Sequence, residues 1–199
     1  MSDGPTNTTA ITDHLSRFRR GDAGALNDLI AQAGERLRAL ARRMLRDYPR
    51  VRRWSQTDDV LQSALMRLCR ALEQVRPATP RDFYALATAQ VRRELIDLAR
   101  HHAGPESAAA HHESTGGRPA ADAARDPHEP AALADWGEFH EQVAALPDEQ
   151  REVFGLVFYQ GLTQDAAADV LGVGLRTVQR RWQAALLGLH RLRKGEPLE

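Results

Sequence analysis

From Leu26 to Leu45, within "GALNDLIAQAGERLRALARRMLRDYP", apolar side chains return every three or four positions: Leu26, Leu29, Ile30, Leu37, Leu40, Ala41, Met44 and Leu45. That interval lays a single apolar stripe along a helix. Pro49 ends it, because proline has no amide hydrogen to give to a further turn. The stretch "TDDVLQSALMRLCRALEQV" repeats the pattern at Leu61, Leu65, Leu68 and Leu72. Thr57 stands where a cap is needed, and Asp58 and Asp59 occupy the first turn, where the helix dipole favours carboxylates. A third helix starts at "TPRDF", with Thr79 as cap and Pro80 in the first helical position, and runs through Leu86, Val91, Leu95 and Leu98 to about Arg100. A weaker one, carrying Ile11, Leu15 and Phe18, precedes them and stops near Gly21.

Residues 101–130, "HHAGPESAAAHHESTGGRPAADAARDPHEP", have no apolar period. Such a composition buries too little surface to offset its ordering entropy, so a flexible tether is expected. Helical spacing then resumes. Leu133 to Leu146 and Asp148 to Gln160 predict two helices, the second opened by Pro147 and closed by Gly161, with Phe154, Val157 and Phe158 on its apolar side. Thr163 caps a short helix, "TQDAAADVL", and from Leu175 a longer one turns Leu175, Val178, Trp182, Ala185, Leu186 and Leu189 inward. No stretch alternates as a strand would. The expected fold is all-α: a helical domain over 8–100, the linker 101–130, and a second helical domain over 131–194 that contains a helix-turn-helix.

The helix-turn-helix expectation is steric. Ala167 and Ala168 let a second helix come close, Gly172 ends the first helix in the left-handed conformation, and Val173 and Val178 fix the crossing from within. Gly174 is a tolerable cap for the second helix. Outward from that helix project Arg176, Thr177, Gln179, Arg180 and Arg181, types that reach phosphates and base edges in a major groove.

Charge bears on this reading locally rather than globally. Lys+Arg and Asp+Glu are equal at 27 each, so the whole chain carries no bias toward a polyanion. From Val170 to Lys194, however, there are six Lys/Arg and no acidic residue, whereas 122–152 is mostly acidic. A merely solvated helix mixes both signs, and the one-sided charge favours nucleic acid. Cys69 is the only cysteine, which excludes an internal disulfide framework, fits a reducing compartment and reads as a small core residue. "MSDGPTNTTAITDHL" has no basic segment followed by an apolar core, and no run nears the ~18 apolar residues of a membrane helix. A soluble, cytoplasmic protein is expected. The pairs His101/His102 and His111/His112 sit on the tether, where adjacent residues do not preorganise a coordination sphere, so neither metal nor cofactor is expected. No phosphate-cradling glycine loop or nucleophile-base pairing points to an enzyme.

Three quoted segments carry a family resemblance. "LPDEQREVFGLVFYQGLTQDAAADVLGVGLRTVQRRWQAALLGLHRL" resembles the fourth conserved region of bacterial sigma factors. "QTDDVLQSALMRLCRAL" resembles the core-polymerase-binding helix of their second region, and "DFYALATAQVRRELIDLAR" the helix that reads the melted downstream promoter element. Their order resembles the extracytoplasmic-function (ECF) subfamily. Ser63 and Ala64 stand where an acidic or bulky residue is usual, Arg93 where many members carry asparagine, and Ala166 where a glutamate is common; these departures bear on the promoter read.

The resemblance implies a specificity subunit of RNA polymerase, with chemistry left to the enzyme it joins. It implies that Asp58, Asp59, Gln62, Met66, Arg67 and Arg70 face the coiled coil of the largest polymerase subunit; read by themselves, those residues make an ordinary solvated face. It implies that Arg92, Arg93, Asp97 and Arg100 hold the downstream element as it opens. By spacing alone, Arg93, Asp97 and Arg100 form either a phosphate-holding strip or an ion-pair ladder along one helix. Arg176, Thr177, Gln179, Arg180 and Arg181 would read the upstream element. Core RNA polymerase and promoter DNA are the implied partners, and an anti-sigma protein is compatible with the resemblance. Phe83 and Tyr84 start a helix, where core packing is expected of at least one, and Trp54 has no assigned role. Without the resemblance, a stand-alone helix-turn-helix regulator and a helical scaffold or adaptor remain open.

Overall fold

The computed structural model describes residues 6–47, 57–103 and 129–198. Within them the chain is all-α, as its periodicity predicts. The helices are α1 (Thr6–Arg19), α2 (Ala23–Asp47), α3 (Thr57–Val75), α4 (Pro80–Ala103), α5 (Glu129–Ala145), α6 (Asp148–Phe154), α7 (Gln164–Leu171) and α8 (Leu175–Arg193). α4 continues past Arg100, and α5 already begins at Glu129. Pro49, Trp54, the His111/His112 pair and tether residues 104–128 lie outside the described residues.

Local chemistry explains the element ends. Asp22 Oδ1 accepts the Gly24 amide at 2.8 Å and caps the start of α2. At α4, the Asp82 amide donates to Thr79 Oγ1 at 3.2 Å while the Asp82 carboxylate accepts the Thr79 amide at 3.1 Å, a reciprocal cap. Thr163 Oγ1 accepts the Ala166 amide at 3.1 Å and opens α7. Replacing Thr163 by Ala orphans that amide. Thr163→Ala is expected to lower unfolding stability by about 1 kcal/mol, measured as a fall in the urea midpoint at unchanged slope.

Two expectations need correction. The segment from Asp148 to Gln160 is not one regular α-helix: after Phe154 it widens into a π turn, Gly155–Tyr159, where the Gln160 amide reaches Gly155 O at 3.1 Å. The extra residue per turn brings Leu156 and Tyr159 onto the buried side with Phe154. Leu175 and Leu186, expected inward, are 37% and 41% exposed. They flank the stripe rather than lie on it, since Val178, Ala185 and Leu189 already fill the inner face of α8.

The helices on either side of residues 104–128 share their cores. In one cluster Ile11, Leu15, Leu29, Leu72, Phe83 and Tyr84 pack with Val153, Leu156, Ala167, Leu171 and Val178. In the other, Leu37, Leu40, Leu61, Ala64, Val91 and Leu95 pack with Val143, Leu146, Phe154, Tyr159, Ala185 and Leu189. Phe83 and Tyr84 are both wholly buried. Missing side chains let the backbones meet: a Cβ on Gly137 of α5 would stand 2.8 Å from Ala99 Cβ on α4, and one on Gly155 would stand 3.0 Å from Thr88 Cγ2.

Candidate nucleic-acid interface

α7 and α8 meet across a three-residue turn whose glycines differ in role. Gly172 closes α7 at φ 64, ψ 34, a left-handed position that costs a side-chain-bearing residue roughly 1 kcal/mol or more. Gly174 is extended at φ −70, ψ 148 and precedes α8 without a side-chain cap. Ala166, Ala167, Ala168 and Val178 are buried at the crossing, and Val173 packs against the same core. The small side chain of Ala166 thus lies inside the contact.

This packing sets what α8 presents. Arg176, Gln179 and Arg180 are exposed and Thr177 is half-buried. Arg181, expected in the same outward set, turns back: its guanidinium pairs with Glu149 of α6, its side chain is only 17% exposed, and its Nε is buried without a partner. The helical period explains the difference. Arg181 follows the wholly buried Val178 by three positions and precedes the core-packed Trp182, so it borders the inner face.

On α3, Gln62 and Arg70 are exposed and Met66 is 48% exposed. Ile30, Leu61, Leu65 and Met66 line an open groove between α2 and α3. Asp58 and Asp59 fall in the first turn of α3, their side chains outside the described residues. Arg67 crosses to α4, with Nε 2.9 Å from Glu94 and Nη2 2.9 Å from Asp97. Burial raises the Glu94 pKa against the opposing pull of Arg67, with Asp97 adding to the rise. Ala64 is buried and lines a small cavity with Leu37 of α2 and Val91 of α4.

On α4, the four candidates have separate surroundings. Arg93 is exposed. Asp97 answers Arg67 across helices, and Arg100 Nη2 donates to Glu141 Oε1 of α5 at 2.8 Å. Arg92 is half-buried, and desolvation, the leading cause, lowers its pKa, with Tyr159 opposing and Arg151 and Arg93 adding repulsion. It lines a cleft with Arg81, Tyr84, Thr88, Arg151 and Gly155.

The polar contacts that the sequence did not disclose join distant segments. Gln160 Nε2 donates to Thr88 Oγ1 at 3.1 Å, and Arg36 Nη1 donates to the Gln160 carbonyl at 2.8 Å while its guanidinium lies 5.3 Å from the Tyr84 ring centroid. Arg81 forms a two-point pair with Glu152. His140, wholly buried, has Nδ1 2.6 Å from Tyr159 Oη, one hydrogen being shared according to the tautomer, and Nε2 without a partner. Only chain-distant pairing could have found these, and local periodicity carries no such signal.

The profile of one protein family, described as ECF sigma factor, matches residues 8–192. The chain belongs to the ECF sigma factor family. No curated protein gives a significant match. For an ECF sigma factor the expected partners are RNA polymerase and promoter DNA, the role is promoter-directed transcription initiation, and the family is non-catalytic. Among the described residues of this sigma factor, no helix is long and apolar enough to cross a membrane.

Proposed function

We propose that this sigma factor grips a promoter at two points while mounted on core polymerase. α7 and α8 act as a helix-turn-helix, with Arg176, Thr177, Gln179 and Arg180 in the major groove of the upstream element. Arg181, held by Glu149, steadies α8 against α6. Arg92, Arg93, Asp97 and Arg100 line the path of the downstream element, and Gln62, Met66 and Arg70, with Asp58 and Asp59, meet the polymerase. Arg67 orders α4 against that face through Glu94 and Asp97.

The observation that carries this reading is the exposed, acid-free cationic face of α8 behind a sterically tight turn. Phosphate contacts supply salt-sensitive affinity and base-edge contacts supply selectivity. Each block offers a modest contact set, so mounting both on one polymerase makes the second contact intramolecular. The direct test combines the purified chain, bacterial core polymerase and a promoter library. Promoter-specific RNA made only when the chain is present is expected. Binding to a symmetric operator without polymerase would instead indicate a stand-alone regulator. Arg180→Ala is expected to cost about 1 to 3 kcal/mol on the preferred promoter if it reads a base, and less on promoters lacking that base. Equal activity of the variant and the parent on every promoter would remove Arg180 from the reading set.

A further inference from the structure

The cleft that Arg92 lines, between α4 on one side and α6 and the π turn on the other, has a volume of about 320 Å³. Three guanidinium groups stand in it, those of Arg81, Arg92 and Arg151, against two carboxylates, Asp148 and Glu152. Both carboxylates are already taken. Glu152 accepts Arg81 at two points, and Asp148 accepts Arg151, which also donates to the Ala144 and Leu146 carbonyls. Among the described residues Arg92 pairs with no carboxylate, and the Arg151 and Arg93 cations repel it while half-burial removes its water. An anion seated there would neutralise Arg92 and turn the repulsion between Arg92 and Arg151 into a shared attraction.

Neutral donors stand beside the cations. Thr88 is 8% exposed, and its Oγ1 accepts Gln160 Nε2, which leaves the hydroxyl hydrogen to give. The Tyr84 hydroxyl is buried without a partner. Ala85 and Ala89, one turn apart on α4, contribute only methyl groups to the lining and so leave its volume to a ligand.

We propose that this cleft is a binding site for a small phosphate-bearing molecule, its phosphate held by Arg92 and Arg151 with the Thr88 hydroxyl. Two guanidinium groups call for an anion with more than one charge and several acceptor oxygens, which a phosphate monoester supplies and a single carboxylate does not. The volume lies at the lower end of small-ligand sites, so it takes one molecule of about nucleotide size rather than a run of strand. Because Arg92 and Thr88 come from α4 and Arg151 from α6, the ligand binds the folded chain alone and stabilises it.

Titration calorimetry of the full chain with inorganic phosphate, pyrophosphate and AMP tests the site. Saturable binding of at least one of the three is expected, with Kd below about 1 mM, together with a thermal midpoint that rises with its concentration. Arg92→Gln is expected to weaken that binding by about tenfold or more. Ala89→Glu places a carboxylate one helical turn from Arg92. It is expected to abolish ligand binding while raising the urea midpoint, since the tethered anion takes the ligand's place, and a more stable protein has not lost its fold. No saturable binding of any of the three overturns the proposal, as does binding that persists undiminished in both variants. Binding of a single-stranded oligonucleotide with none of the three overturns it as well and leaves Arg92 to promoter DNA alone.

Discussion

Phe154→Ala is expected to destabilise the fold by about 3 to 5 kcal/mol, the largest loss from any single truncation considered. Phe154 is 1% exposed. Its ring stacks on Trp182 at 5.4 Å and on Phe158 at 5.0 Å, and meets Phe139 edge-on at 6.1 Å. Phe139 comes from α5, Phe158 from the π turn and Trp182 from α8, so a single cavity removes the contacts of three segments. The same cluster includes Leu37, Val91 and Leu95 of α2 and α4. Because the cavity opens inside a core shared by both halves, urea should unfold the variant in one transition with a lower midpoint and an unchanged slope. A loss under about 1 kcal/mol would mean that the ring is not packed as described. A shift confined to the second of two transitions would mean that the halves unfold separately.

How far this was legible in the sequence depends on the range of the interaction. Thr79, Thr163 and Gly172 act within a few residues of themselves, and their identities already announce caps and a left-handed stop. The stripe of α3 likewise reveals that Leu61, Leu68 and Leu72 are buried. It does not reveal what covers them, because an apolar stripe specifies a face and not a partner. The docking of α5 on α4 therefore went unread, although Gly137 and Ala99 are the small residues it requires. Arg181 failed for a related reason. A basic residue in a basic helix reads as part of the outward set, and only the position of Val178 relative to Glu149 shows that it turns inward. The π turn was invisible because one extra residue per turn leaves the apolar composition of "FGLVFYQ" unchanged. What it alters is which of those side chains reach the core.

Mild acid is expected to weaken the same core through His140. Burial, reinforced by the nearby Arg92 cation, lowers the His140 pKa from 6.5 to about 3. The folded protein therefore keeps the ring neutral, while the unfolded chain takes up a proton below pH 6.5. Stability from this residue is complete above pH 6.5, declines as the pH falls, and levels off below about pH 3. At pH 5 the loss amounts to about 2 kcal/mol. Comparing wild type with His140→Phe/Tyr159→Phe isolates it from other titrating groups. His140→Phe alone strands the Tyr159 hydroxyl, a buried group whose missing partner costs about 1 to 3 kcal/mol. Removing both hydrogen-bonding partners together avoids that cost and keeps an aromatic ring at each position, the first against Trp136 and Phe139 and the second against Phe154 and Phe158. Urea midpoints measured from pH 7 to pH 5 should fall further for wild type than for the double variant. Equal falls in the two proteins would exclude His140 as the source. Since Arg92 belongs to α4 while His140 and Tyr159 belong to the C-terminal helices, a proton on His140 would place two cations across the seam between the halves, and the acid loss should be felt there first.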